Sequence, residues 1–232
     1  MRVEEALEVA RGTVAALAVD GRRTVSVSAF HSAGLLLFAP LLRRLGGAAP
    51  VSLHDADVAL DRFPGLTADH DVVIAHRLAH DASWPETRID AVPLFTEPID
   101  VALHAEHPLA AEPGIRPDQL RDERWVAVRD GFPLAGVLQH WGAMSGGPPR
   151  IEHRVNEFSL AAAIVRTGAA VAALPRATGA PLAVDGMVLR PVLGSPIVRH
   201  VDALVRPDLR AQAAVGRVLD TLREVAREAS DG

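Results

Sequence analysis

With 232 residues, 49% of them hydrophobic, the chain can bury a core as one large domain or as two small lobes. Its formal net charge of −5 argues against a general nucleic-acid binder, whose affinity would rest on basic residues clustered on one face. It has no cysteine, and all 24 of its basic residues are arginine, which excludes disulfides, thiolate ligands, cysteine nucleophiles, Schiff-base lysines and a P-loop lysine.

The first stretch, "MRVEEALEVARG", carries acids where a signal peptide would carry an apolar run, and no segment approaches the roughly 18 apolar residues of a membrane span. A cytoplasmic protein without membrane contact is expected. Val3, Leu7, Ala10, Val14 and Leu17 recur at spacings of four and three, the seam of a helix that wants a partner, either its own domain or a helix of another chain. "DGRR" at 20–23 then turns into the first strand.

From there strand and helix alternate. "TVSVSA" and "PVSLHDA" are β-type runs on either side of a helix over 32–45, and "HDVVIAHR" reads as a third buried strand, so the first hundred residues look like βαβ units on a parallel sheet. An extended run covers 92–104, and the pattern then repeats. "RWVAVRD" is a strand, "FPLAGVLQHWGAM" a helix, "RIEHRV" a strand, "EFSLAAAIVRTG" a helix stopped by Gly168, and "AAVAALP" a strand. A second extended run, "IVRHVDALVRP" at 197–207, precedes a closing helix over 209–228. Two strand-like crossings, one outward and one back, predict two Rossmann-like α/β lobes. The first is discontinuous, 24–97 plus 200–229, and the second is 98–199, with 1–22 left as a separate helix.

Ser28, His31 and Ser32 cluster at the first strand-to-helix turn, where a hydrolase would hold its nucleophile. The G-x-S-x-G elbow is absent, and a histidine three residues from a serine in one turn is a poor base, because triad partners converge from separate segments. Position favours Ser32 as the helix cap, through its hydroxyl. His76 with His80, and His104 with His107, are spaced for a helical metal pair; loop positions are expected for them instead, and with no third-ligand motif no metal is expected. No glycine-rich nucleotide loop is present, so no cofactor is implied. Asp55 with Asp57, and Asp69 with Asp71, read as solvated turns rather than acid/base pairs.

What remains is geometric. Ligands of open α/β sheets collect at the carboxyl ends of strands, where helix N-termini direct N–H groups and partial positive charge at them. Three helices are expected to start there, at Ser32, at Phe132 and near Glu157. Arg77 and Arg129 follow strands of opposite lobes, and the arrangement outlines a pocket for a small anion.

The run "PLFTEPIDVALHAEHPLAAEPGIRPDQLRDERWVAV" at 93–128, "LAAAIVRTGAAVAALPRA" at 160–177, "VSVSAFHSAGLLLFAPLLRRL" at 25–45 and "ADHDVVIAH" at 68–76 resemble the effector-binding domain of LysR-type transcriptional regulators. The resemblance spans 24–229 and implies the type II periplasmic-binding-protein fold. It implies no enzyme, but a small-molecule sensor with a carboxylate-bearing effector between its lobes. It also implies a homodimer, a tetramer in a full-length regulator, built on the 1–20 helix and on antiparallel contacts of helices 32–45 and 157–167. Contact with DNA would belong to a winged helix-turn-helix that these residues do not include, whether removed or never present. By position the resemblance assigns ligand contact to Phe30, His31, Ser32, His76, Arg77, Thr96, Arg129, Phe132, Glu157 and Pro175. Asp55-Ala56 replaces a frequent Glu-Gly, Ala170 a frequent glycine, and Glu157 puts an acid at a helix start that often faces the ligand. A free-standing solute-binding protein and an enzyme on the same fold are the competing classes.

Overall fold

The computed structural model describes residues 23–47, 49–85, 88–194 and 196–231; the 1–22 helix and its Val3-to-Leu17 seam lie outside them. Strand β1 (Val25–Ala29) alternates valine and serine, yet four of its five residues are buried, as expected of a strand covered on both faces. It leads into α1 (His31–Leu45), whose Leu37, Leu41 and Leu45 recur every four residues and bury one face on the sheet. Gly46 ends that helix in the left-handed region, at φ 52°, and returns its N–H to the Leu42 carbonyl. β2 (Val51–Asp55), a single turn α2 (Phe63–Leu66) and β3 (Val72–Leu78) follow, and β2 and β3 both pair in parallel with β1.

The remaining elements are β4 (Asp90–His104), β5 (Arg124–Ala127), α3 (Ala135–Ser145), β6 (Arg150–Arg154), α4 (Phe158–Val165), β7 (Val171–Pro175), α5 (Arg176–Gly179), β8 (Met187–Pro191), β9 (Val198–Val205), α6 (Pro207–Arg210) and α7 (Ala213–Asp231). The strand order is β2-β1-β3-β9-β4-β7-β5-β6, with β8 also on β4. β4 is shared: residues 90–98 pair with β9, whereas 99–104 pair with β7 and β8. Its partner changes at Pro98 and Ile99, so the sheet has two halves joined through β4.

Each half has its own apolar packing. α1 and α7 cover the first, where Leu37, Leu41, Val218, Leu222 and Val225 join residues of β1, β3 and β9. In the second, Trp125 and Trp141, with ring centroids 6.0 Å apart, pack with Val101, Leu103 and Val137 on one face. The alternate residues Ala102, Val126 and Leu174 meet Ala161, Ala162 and Val165 of α4 on the other.

Several boundaries correct the sequence expectation. α1 starts at His31 with Phe30 as its N-cap; Ser32 lies inside the first turn, and no side chain caps this end. The helix expected from Phe132 starts at Ala135, because residues 129–134 form a turn in which Gly131 takes φ 82° and the Phe132 N–H donates to the Arg129 carbonyl. The helix expected over 209–228 is split into α6 and α7. His76 and His104, expected in loops, are strand residues of β3 and β4. His107 caps a 3-10 turn over Pro108–Ala111, its Nδ1 accepting the Leu109 N–H at 3.2 Å. Among the described residues no helix is long and apolar enough to cross a membrane.

Candidate functional site

Both halves contribute walls to one open cavity. Phe30, His31, Ser32, Asp57 and His76 come from the first half, and Val128, Phe132, Pro133, Leu134, Asn156, Glu157 and Phe158 from the second. An adjoining, more apolar recess shares Val128, Leu134 and Phe158 and runs on to Leu138, Ala161 and Leu174.

The β1–α1 turn supplies the first wall. Phe30 is buried, stacks on His76 with ring centroids 4.0 Å apart and meets Phe63 edge-on at 6.3 Å. Asp57, just beyond β2, stands on the same wall as the start of α1. Asp57 keeps exposed surface at the rim, but burial of its carboxyl group pushes the pKa up, against the opposing pull of His31 and Arg199.

α4 opens on Glu157, which accepts the Ser159 and Leu160 N–H groups at 3.1 and 2.7 Å, and the Ser159 hydroxyl as well. Burial pushes this carboxyl up, and the three hydrogen bonds outweigh it and hold the pKa below the usual range. Across the cavity mouth, His31 Nε2 stands 3.6 Å from Glu157 Oε1.

His76 is 6% exposed, and its Nδ1 has no hydrogen-bond partner among the described residues. Burial, reinforced by the nearby Arg199 charge, holds its pKa well below 6.5, so the imidazole is neutral. Beneath the cavity lies a buried ion pair. Arg199 of β9, with no exposed surface, donates from Nε to Glu97 of β4 at 2.7 Å, and Glu97 also accepts the Ala177 N–H at 2.9 Å. The guanidinium reaches Ser32 Oγ at 3.4 Å and Thr178 Oγ1 at 3.5 Å, and its Cζ lies 5.1 Å from the Phe30 ring and 6.0 Å from the Phe158 ring.

Six of the ten residues expected at the ligand, Phe30, His31, Ser32, His76, Phe132 and Glu157, line this cavity. The other four stand elsewhere. Arg77 follows His76 on β3 and so faces the opposite side of the sheet, where it lies 3.4 Å from Asp202, itself the acceptor for Trp84 Nε1. Arg129 is exposed and donates its backbone N–H to Asn156 at 2.9 Å. Thr96 is exposed on β4 beside Glu97, and Pro175 ends β7 with its carbonyl accepting from Thr178. Asp57, Asn156 and the Arg199–Glu97 pair are the site residues that the sequence did not single out. Ser28 is fully buried with no partner for its hydroxyl among the described residues, while His31 faces Glu157, so the two form no nucleophile–base pair.

Two outcomes follow from the buried groups. Glu97→Ala strands the Arg199 charge and should lower unfolding stability by about 3–5 kcal/mol in urea titrations, whereas Glu97→Leu with Arg199→Met should recover most of it. For His76, a depressed native pKa means that stability is present above 6.5 and lost as the pH falls, because the unfolded chain takes up the proton first. The thermal midpoint should therefore drop less steeply in His76→Phe than in the wild type on acidification from about pH 7 to about pH 5.

The sequence matches the family described as LysR substrate binding domain over residues 19–227, and no curated protein sequence matches it. Among solved structures it is similar to the effector binding domain of QuiR in complex with shikimate, with 15% identity and a TM-score of 0.73 over 89% of this chain and 98% of that one. It is also similar to the reduced OxyR regulatory domain from Pseudomonas aeruginosa, with 19% identity and a TM-score of 0.70 over 88% and 96%. A third is the CcmR regulatory domain from Synechocystis in complex with 2-PG, with 17% identity and a TM-score of 0.70 over 88% and 97%. At these identities the likeness is one of fold, whereas the sequence match covers most of the chain: it belongs to the LysR substrate-binding domain family.

Proposed function

We propose that this chain senses a small organic effector in the cavity between the β1–α1 turn and the start of α4, in the cytoplasm and without catalysing a reaction. The observation that carries the reading is that one cavity takes walls from both halves of the sheet. A ligand filling it makes different contacts when the halves move, and so biases one arrangement over another. The moving units are lobes of residues 24–97 plus 200–229 and 98–199, hinged where β4 and β9 cross. Two of the similar domains support the reading, since they were solved with shikimate and with 2-PG.

The expectation of a carboxylate-bearing effector rested on Arg77, Arg129 and open helix starts. Neither arginine lines the cavity, and two acids of this chain, Asp57 and Glu157, do. The reading is therefore kept at a small organic molecule.

Occupancy would be passed on through a homodimer, and through a tetramer in a full-length regulator whose helix-turn-helix holds the DNA. α1 and α4 are the proposed antiparallel contacts: Leu35 and Leu42, one heptad apart on α1, are 71% and 50% exposed, and Leu160 on α4 is 49% exposed. Leu35→Glu with Leu160→Glu should convert dimer to monomer in sedimentation velocity while the circular dichroism spectrum is unchanged; a persisting dimer would remove these helices from the interface.

A thermal-shift panel of small carboxylates, aromatic acids, amino acids and amines tests the cavity itself. A true effector at about 100 times its dissociation constant should stabilise by about 2.7 kcal/mol, and Phe132→Ala should shrink that shift. If every compound in the panel leaves the midpoint unchanged, the effector reading loses its support.

A further inference from the structure

We infer that the polar end of the effector is a cation, a primary ammonium or amidinium on an apolar body; this rests on the effector reading above and names the ligand class for it. An external anion would ordinarily be drawn to helix starts; of the three that reach the cavity, those of α1 and α4 stand beside an acid of this chain, and that of α3 does not. Asp57 lines the cavity together with His31, and the Ser159 and Leu160 N–H groups are held by Glu157. An incoming carboxylate would face both acids, whereas an ammonium finds two carboxylates waiting.

His76 is a third, independent sign. It is nine-tenths buried, it lines the same cavity, and its Nδ1 has no partner among the described residues. A neutral imidazole offers one lone-pair nitrogen, which suits an N–H donor from the ligand. Phe132 adds a ring that attracts a cation, whereas the Phe30 ring is already stacked on His76 and faced by Arg199.

Of the nearby arginines, Arg199 is fully buried, stands outside the lining and is paired with Glu97, with its Nη1 lacking a partner among the described residues; Arg154, in the adjoining recess, pairs with Asp130 at 3.0 Å. The recess beyond Val128 and Leu134, lined by Leu138, Ala161 and Leu174, fits the apolar body.

Three charge-matched sets test this on the intact chain by calorimetry and thermal shift. They are phenethylamine, 2-phenylethanol and phenylacetate; pentylamine, pentanol and pentanoate; benzamidine, benzamide and benzoate. At least one cation should bind saturably, about tenfold or more tighter than its neutral and anionic counterparts, the scale of a charge-assisted hydrogen bond. Asp57→Asn with Glu157→Gln, folded by circular dichroism, should abolish that preference. If anions or neutral members bind as tightly as cations and Phe132→Ala removes the binding, the cavity still binds an effector but the cation assignment is overturned. Cation binding unchanged in the double variant overturns it too. If no cation of these sets or of the wider panel binds while a neutral or anionic compound does, the assignment falls and the effector reading stands; if nothing binds at all, both fall.

Discussion

Arg199 carries a full charge into a place that leaves it no exposed surface, and Glu97 is what makes the placement tolerable. The two are cross-strand partners on β9 and β4, next to Pro98 and Ile99, where β4 exchanges one set of neighbours for another. A buried ion pair is a poor source of stability, since a well-packed apolar pair would hold the strands about as well. Its value here is positional. From the crossing point the guanidinium reaches Ser32 of α1, Thr178 of α5 and the rings of Phe30 and Phe158, so walls of the cavity from both halves meet on one side chain.

The rim is built differently from this floor. His31 and Glu157 face one another at 3.6 Å across the mouth, but both are more than one-third exposed, and an ion pair so placed contributes little and yields easily. A floor pinned by a desolvated pair and a mouth spanned by a weak one describe a cavity that can open without losing its alignment. Small changes there would be felt at β4, because this strand belongs to both halves.

Much of the architecture was legible. Alternation marks β1, unbroken apolar runs mark β3, and the extended stretches around 92–104 and 197–207 announce β4 and β9. Arg77 was legible too, had the period of two been followed through "HDVVIAHR": with His76 facing the cavity, its neighbour must face away. The start of α3 was not, because the left-handed turn at Gly131 postpones it from Phe132 to Ala135. Nor was Asp57. Paired with Asp55 it reads as a solvated turn, and it reaches the start of α1 because β2 lies parallel to β1 and the Ala56 N–H is tied to the Ala29 carbonyl at 2.9 Å. Arg199 is one arginine among 24 with no local signal; its role exists only where two distant strands meet.

The serine and histidine of the first strand-to-helix turn show what such a site is made of. Ser28 is buried with no partner for its hydroxyl among the described residues, His31 faces Glu157, and Asp57 stands on the cavity wall beside this turn. A helix start with its own carboxylate differs in sign from an open one: the same turn geometry that would hold an anion presents acceptors once an acid fills it. Within one fold, then, the sign of the preferred ligand is set by which residues stand just outside the strands, at Asp57 and Glu157. The strands themselves supply only the position.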